Sequence, residues 1–284
     1  MTLIYPNIIP ENNLRLPDAL TLKHGPARLL SRFVLEGDKA ARRLGIRLRL
    51  RHDFEGLLQL NRQMVAKGLW YPLMRMFDHE RNDLTPENSY WISGENEDGE
   101  IVATHAGRVH YWPESTLKAE ADHMLYGEHN DSKHCVVTAP DAKKITGVVV
   151  YGGSAWVRPD FRGNRLSQLL PRIGRACALA RWPIDWGISI VAPVLVEKGV
   201  AAGYGYKHES RSIFFPGAPT GAVENVLVSV SADEAYDDFA KILLGEFSDS
   251  AASNSRLPPL GSGLDSIDTN TSSEGVFHGS SSRS

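Results

Sequence analysis

Cysteine is scarce in this chain of 284 residues: Cys135 and Cys177 stand far apart and share no CxxC spacing. That excludes a disulfide framework and a zinc knuckle, and it suits a reducing cytoplasm. Long apolar runs are missing too. The longest nearly apolar stretch, Ile145 to Val157, is far short of the roughly 20 residues a membrane-spanning helix needs, and glycines break it. The opening Met1-Thr-Leu-Ile-Tyr-Pro6 lacks the positive start and apolar centre of a signal peptide. A soluble, cytoplasmic protein with no membrane partner is expected. The formal net charge of −3 gives no reason to expect nucleic acid as a partner either.

Several chemistries are excluded by missing motifs. There is no GxxxxGK[ST] phosphate loop, no GxGxxG after a strand, no HExxH and no GxSxG. His105, His110, His123, His129 and His134 crowd one region, but their spacings match no helical ligand pair. They are expected to be surface histidines, and no metal is expected. Cys177 falls on an apolar stripe and reads as core. Cys135, beside His134, has the composition of a nucleophile pair, yet neighbours in sequence say little about space.

The charge that is present is unevenly spread. Arg15 to Arg51 holds ten Lys/Arg against three Asp/Glu, and Ser231 to Glu274 holds nine acids against two bases. The basic stretch reads either as an arm for an acidic partner or as solvated helix and strand faces, the plainer alternative.

Along the chain, residues 1–44 read as an N-terminal arm ending in a basic helix near 27–44. Ile46 to His52 alternates strictly, with Ile46, Leu48 and Leu50 on one face and arginines on the other, which predicts a half-buried strand. Leu57, Leu58, Leu60, Met64 and Val65 predict a helix over 54–66 that Asp53 could cap. A strand pair follows over 90–93 and 100–111. Residues 113–143 read as a polar insertion or long loop. Thr146 to Val157 is a central strand, and Leu166, Leu169, Leu170, Ile173, Cys177 and Ala180 predict a helix over 163–181. Pro171 lies inside that helix. Strand 186–192, helix 194–202, strands 211–215 and 224–230, and helix 232–244 complete a core domain over 45–247. From Ser248 onward, 12 of 37 residues are serine, which predicts a disordered tail over 248–284.

The informative segment runs from Val148 to Ser167. A buried strand ends at Val157, turns through Pro159 and enters a helix through Arg162-Gly163-Asn164-Arg165. Backbone N–H groups at a helix start are unpaired and carry the positive end of the helix dipole. They form an anion site, and arginines beside it add donors suited to a pyrophosphate. A plain strand-to-helix turn with exposed arginines is the alternative.

The run Val157-x-Pro159-x-x-Arg162-Gly163-x-x-Leu166-Ser167-x-x-Leu170 resembles the acyl-CoA signature of the GNAT superfamily of N-acyltransferases. The order of expected elements over 45–216 resembles that family as well, as does the pair Gly205-Tyr206. Arg162 matches the first position of the family's Arg/Gln-x-x-Gly-x-Gly/Ala pattern. Arg165 stands in place of its first glycine and Ser167 in place of its last small residue. The resemblance implies an α/β (α+β) fold: a mixed, mostly antiparallel central sheet flanked by helices on both faces and splayed at strand 146–157. It also implies acetyl-CoA or another acyl-CoA as co-substrate. Trp156 and Val157 would hold the pantetheine arm, and Arg162, Gly163, Asn164, Arg165, Leu166 and Ser167 the pyrophosphate.

The implied reaction moves an acyl group, expected to be acetyl, from the thioester to an amine by direct attack. The acceptor would be a small molecule or a protein terminus, and an oligomer is allowed. Many family members protonate the thiolate with a tyrosine four residues before the Gly-aromatic pair; Ala201 stands there in this chain. Tyr204 and Tyr151 are the substitutes by proximity in sequence, and His110 and Glu197 are the candidate bases. Positioning alone is a further route. Two other readings stay open: a catalytically weak or inactive acyl-CoA-binding regulatory protein, and a transferase whose Trp156, Trp182 and Trp186 line a tunnel for a long acyl chain.

Overall fold

The computed structural model describes residues 14–127, 134–216 and 224–245. The expected tail over 248–284 lies outside the described residues. Eight strands form one sheet: β1 (Arg47–Arg51), β2 (Ser89–Glu95), β3 (Ile101–Trp112), β4 (Val136–Val137), β5 (Gly147–Val157), β6 (Trp186–Val191), β7 (His208–Phe214) and β8 (Glu224–Ser231). Their order across the sheet is β1-β2-β3-β5-β6-β8-β7-β4. All neighbours are antiparallel except β5 and β6. The sheet is therefore mixed and mostly antiparallel, as the sequence led one to expect. The last strand, β8, lies beyond the stretch 45–216 that resembles the family, yet it inserts between β6 and β7 in the middle of the sheet.

The helices are α1 (Ala27–Arg43), α2 (Phe54–Ala66), α3 (Leu117–Tyr126), α4 (Leu166–Arg181), α5 (Pro193–Glu197) and α6 (Ala232–Gly245). Strand side chains alternate between two faces, and the core divides accordingly. Tyr90 and Val150 meet Phe33 of α1, Ile173 of α4 and Phe239 of α6 on one face. Their neighbours Trp91 and Tyr151 meet Leu57 of α2 and Met124 of α3 on the other. Helices cover both faces. Phe33 and Phe239 stack with centroids 4.3 Å apart, which joins α1 to α6.

Four arginines of the basic stretch are paired within the chain. Arg15 and Arg42 both reach the buried Asp38, at 2.7 and 3.0 Å, and Arg49 and Arg51 both reach Glu95 at 2.8 Å. This favours the plainer reading of that charge over an arm for an acidic partner. Three details differ from the sequence expectations. Asp53 precedes α2 but makes no capping hydrogen bond. The polar stretch 113–143 is not all loop: Thr116 accepts from Ala119 N and starts α3, whose Leu117, Ala121, Met124 and Leu125 are buried. The helix expected over 194–202 is cut to α5 and a separate single turn at Ala201–Tyr204.

Candidate active site

The parallel strands β5 and β6 pair over only three positions, Val149 with Trp186, Val150 with Gly187 and Tyr151 with Ile188. Beyond Tyr151 each keeps its other partner: β5 stays on β3 as far as Val157, and β6 stays on β8 as far as Val191. The two strands therefore part at Gly152, and a wedge opens between their C-terminal halves. An irregularity in the β3–β5 register lies between Thr104 and Ala106. Opposite it Ser154 sits at φ 50°, and Thr104 Oγ1 donates to its carbonyl at 2.8 Å. A bulge of this kind bends and twists a strand, here away from β6.

Arg158 N–H donates to Val102 O on β3 at 2.8 Å. Backbone groups alternate sides along a strand, so the N–H and C=O of Val157 point into the wedge and those of Trp156 point to β3. The Trp156 side chain is buried on its own account: its indole donates to Leu69 O at 2.9 Å and stacks on Trp70. Of the two residues expected to hold a pantetheine arm, Val157 offers backbone to the opening.

After Val157 the chain makes a single helical turn at Pro159–Phe161. Arg158 braces it, bonded to Asp160 and Glu100 at 2.8 Å each and lying over the Phe161 ring. Gly163 has φ 83°, a conformation that glycine adopts freely and other residues do not. Helix α4 begins at Leu166, three residues later than the sequence suggested. Its flanking residue Arg165 sits at φ 58°, ψ 11°, in the left-handed region. The reason is plain: the turn needs a glycine conformation at 165, and an arginine supplies it at a cost of about 1 kcal/mol. Leu166 is buried and anchors the helix start in the core.

The first helical hydrogen bonds run from Gln168 and Leu169 to Arg165 O. Among the described residues, no acceptor within the chain meets the backbone N–H groups of Gly163, Asn164, Arg165, Leu166 and Ser167. No acid stands in the first turn of α4. Arg162, Gly163, Asn164 and Arg165 are exposed or half-buried around this spot, and Ser167 is half-buried beside it. The arrangement is an electropositive cradle of backbone donors, 16-residue helix dipole and two guanidinium groups, at the open end of the wedge.

At the closed end lies a small cavity between α4 and the sheet. Tyr90, His105, Gly152, Pro171, Arg175 and Tyr206 are among its walls. Tyr206 is half-buried, and its hydroxyl donates to Ile188 O at 3.2 Å, on the last β6 residue paired to β5. A side chain at Gly152 would meet His105 Nε2 and the Tyr206 hydroxyl, each 3.2 Å from its first carbon. Burial and the nearby Arg175 charge hold the His105 imidazole neutral, its pKa lowered to about 3. Pro171, inside α4 and past its first turn, is another wall of this cavity.

The four catalytic candidates fall in different places. Tyr151 lies at the parting of the strands but is fully buried; its hydroxyl donates to Met74 Sδ and accepts from Ile190 N–H. Burial raises its pKa. Tyr204 packs in a small cluster with Val196 and Tyr206, and burial raises its pKa too. His110 pairs with Val149, at the opposite end of β5 from the wedge, and lines a separate groove of ≈ 490 Å³. Its ring is neutral for the same reason as His105, its pKa lowered to about 3 by burial and then by Arg108. Glu197 is exposed at the end of α5, 3.6 Å from Arg211.

His105 and His110 thus depart from the expectation of surface histidines: they are 3% and 8% exposed. Both fall on a strand whose two faces are covered, so the alternation that marks a half-exposed strand is absent. In the sequence His105 reads only as one of five expected surface histidines, and neither Arg175 nor the Tyr206 hydroxyl stands out. Arg175 sits one turn from Leu179 on the buried side of α4, the one signal that could have drawn attention to it. Burial and then Asp122 push the Cys135 thiol up to about 12, which disfavours its thiolate. Trp182 donates to Glu87 O and Trp186 meets His208, so the three tryptophans do not line one tunnel.

Among the described residues no helix is long and apolar enough to cross a membrane, and no cluster of three metal-ligating side chains occurs. No family model and no curated protein matches the chain. Solved structures do. NAA60 of Arabidopsis thaliana in complex with acetyl-CoA is 11% identical, covering 66% of this chain and 99% of its own, with a TM-score of 0.44. RimJ of Mycobacterium smegmatis in complex with CoA-disulfide is 14% identical over 69% of this chain and 88% of its own, TM-score 0.41. A GNAT superfamily phosphinothricin acetyltransferase of Sinorhizobium meliloti in complex with acetyl-CoA is 14% identical over 66% and 88%, TM-score 0.36. GNAT-superfamily acetyltransferases are thus among the structures this chain is similar to in fold.

Proposed function

We propose that the chain is a GNAT-type N-acyltransferase that takes its acyl group from acyl-coenzyme A and gives it to an amine. One observation carries the reading: the wedge between β5 and β6 leads from the unpaired N–H groups of Gly163–Ser167 to the parting of the strands at Gly152. From Val157 to Gly152 is five residues, about 17 Å of strand, of the order of an extended pantetheine arm. The pyrophosphate would lie on the cradle with Arg162, Arg165 and Ser167, and the arm would bond Val157 along the free edge of β5. Coenzyme A is a co-substrate here, held by the chain and consumed as its thioester.

In the reaction the neutral amine attacks the thioester carbonyl carbon, a carbon–nitrogen bond forms as the carbon–sulfur bond breaks, sulfur leaves as thiolate, and the proton released from nitrogen passes to water in the wedge. Backbone N–H groups on the open edge of β5 would polarise the carbonyl. The wedge supplies orientation, the larger share of what this chemistry needs. Tyr206 brings a half-buried hydroxyl to the strand parting and is our choice to return a proton to sulfur, ahead of Tyr151, Tyr204, His110 and Glu197. The acceptor is an amine of a small molecule or a protein. Two free cysteines suit a cytoplasmic site of action.

The test is a panel of primary amines and peptide N-termini incubated with acetyl-CoA and other short acyl-CoA thioesters, with free thiol release followed. Release that depends on one class of amine, with acylated amine found by mass spectrometry, supports the reading. Thiol release with no acyl-amine product, or none with any thioester, contradicts it.

A further inference from the structure

Strands β2 and β3 do not end together. β2 begins at Ser89, opposite Arg108, whereas β3 runs on to Trp112. Val109 N–H still finds Asn88 O at 2.7 Å, and past that bond no described strand continues along this flank of β3. Backbone groups alternate sides along a strand. The N–H and C=O of Tyr111 therefore point, like the Val109 N–H, to the side where β2 is missing. An open stretch of strand edge is a template for another extended chain.

This flank is a wall of the ≈ 490 Å³ groove, far more room than a single side-chain tip needs. The groove lies at the end of the sheet away from the wedge, since His110 pairs with Val149 and β5 leaves β6 only past Tyr151. Glu114, after β3, is exposed, and Glu120 of α3 is half-buried; neither forms an ion pair among the described residues. No lysine or arginine is among the described residues that line the groove. Tyr111 is 55% exposed and offers its ring face. His110 is buried, stacks on Trp112, and has no hydrogen-bond partner at Nε2 among the described residues. A buried polar atom without a partner calls for one, and a neutral imidazole keeps one nitrogen as an acceptor. Carboxylates and imidazoles also bind metal ions, but among the described residues no three such groups lie close enough to share one. The groove is thus suited to a spread, N–H-rich cation on a longer body.

We propose that this groove binds an extended peptide segment of a partner protein, paired to the edge of β3 at Tyr111, with a lysine or arginine side chain reaching Glu114 and Glu120. The strand edge supplies main-chain hydrogen bonds, which give affinity without regard to sequence. The two carboxylates and the Tyr111 ring select the cation. The site is separate from the wedge, and the proposal does not depend on the acyl-CoA reading.

The experiment is calorimetric titration of the full chain with a blocked pentapeptide, Thr-Val-Xaa-Val-Thr, in which Xaa is Lys, Arg, norleucine or Glu. n-Butylamine serves as the free-amine control, and each titration is repeated on the double variant Glu114→Gln/Glu120→Gln and with saturating coenzyme A. The expected result is that the Lys and Arg peptides bind about ten-fold or more tighter than the norleucine and Glu peptides. The double variant, whose two positions face solvent at least in part, should keep the wild-type thermal midpoint and lose that preference. Coenzyme A should leave it unchanged. No binding by the Lys and Arg peptides, equal binding by the norleucine peptide, or a preference that survives in the double variant would overturn the proposal. So would n-butylamine binding as tightly as the Lys peptide, which would leave the strand edge no part, or displacement by coenzyme A, which would put the peptide in the wedge.

Discussion

Arg162 donates from Nε to the carbonyl oxygen of Val157 at 3.1 Å, tying the end of β5 to the turn that opens α4. The strand edge and the helix start are thereby held as one unit, and its guanidinium keeps further N–H donors for an anion. Replacing Arg162 with Ala is expected to weaken CoA binding about ten-fold or more, with Lys recovering only part of the loss. The thermal midpoint should move little, since the residue is exposed. Calorimetry on the three proteins checks this, and unchanged affinity in the Ala variant would remove Arg162 from the site.

Arg165 carries the left-handed backbone that a glycine would carry without strain. Arg165→Gly and Arg165→Ala lose the same side chain but differ at that backbone. The Gly variant should be more stable than the Ala variant by about 1 kcal/mol, read in denaturant unfolding. An Ala variant equal to or above Gly would mean that the turn is not held as described.

Acid should unfold this protein through two buried carboxylates. For Glu95 burial raises the pKa, but the bonds from Arg49 and Arg51 outweigh it and the net shift is downward. Asp238 behaves alike with Arg172 and Lys207. A depressed folded pKa contributes stability above the unfolded value, near 4, and that stability is lost as pH falls through the folded value. Glu95→Gln should therefore cost about 2 kcal/mol at pH 7 and flatten the fall in stability below pH about 4. A variant that keeps the wild-type slope there would contradict the assignment.

Both cysteines should react slowly. Burial pushes the thiols of Cys135 and Cys177 up to about 12, with Asp122 adding to the effect at Cys135. At pH 8 the thiolate fraction is then small. Alkylation followed by mass spectrometry should show both far slower than a free thiol in the native protein and fast in denaturant. Rapid native modification of Cys135 would restore it as a reactive group.

The legible part of the fold was what local pattern encodes. Alternation at Ile46–His52 and the stripe Leu166–Ala180 marked β1 and α4 because each has one covered face. The polar stretch 113–143 hid α3, whose buried Leu117, Met124 and Leu125 are too few to set a clear period. The anion cradle could be read from Pro159, Arg162 and Gly163, since a helix start is a local feature. The cavity could not: His105, Gly152, Arg175 and Tyr206 come from β3, β5, α4 and the turn before β7, and only the splayed sheet brings them together. The same holds for the placement of β8 between β6 and β7, which no local pattern announces.

The central claim is that coenzyme A binds with its pyrophosphate on the start of α4, and Ser167→Glu tests it most directly. Ser167 is the second residue of α4, with ordinary helical backbone, so a carboxylate there favours the helix dipole by about 0.5 kcal/mol while occupying the place of a phosphate. Calorimetric titration with free coenzyme A should show binding to the wild-type chain and none to Ser167→Glu, whose thermal midpoint is equal or higher. Equal binding by both proteins would contradict the account.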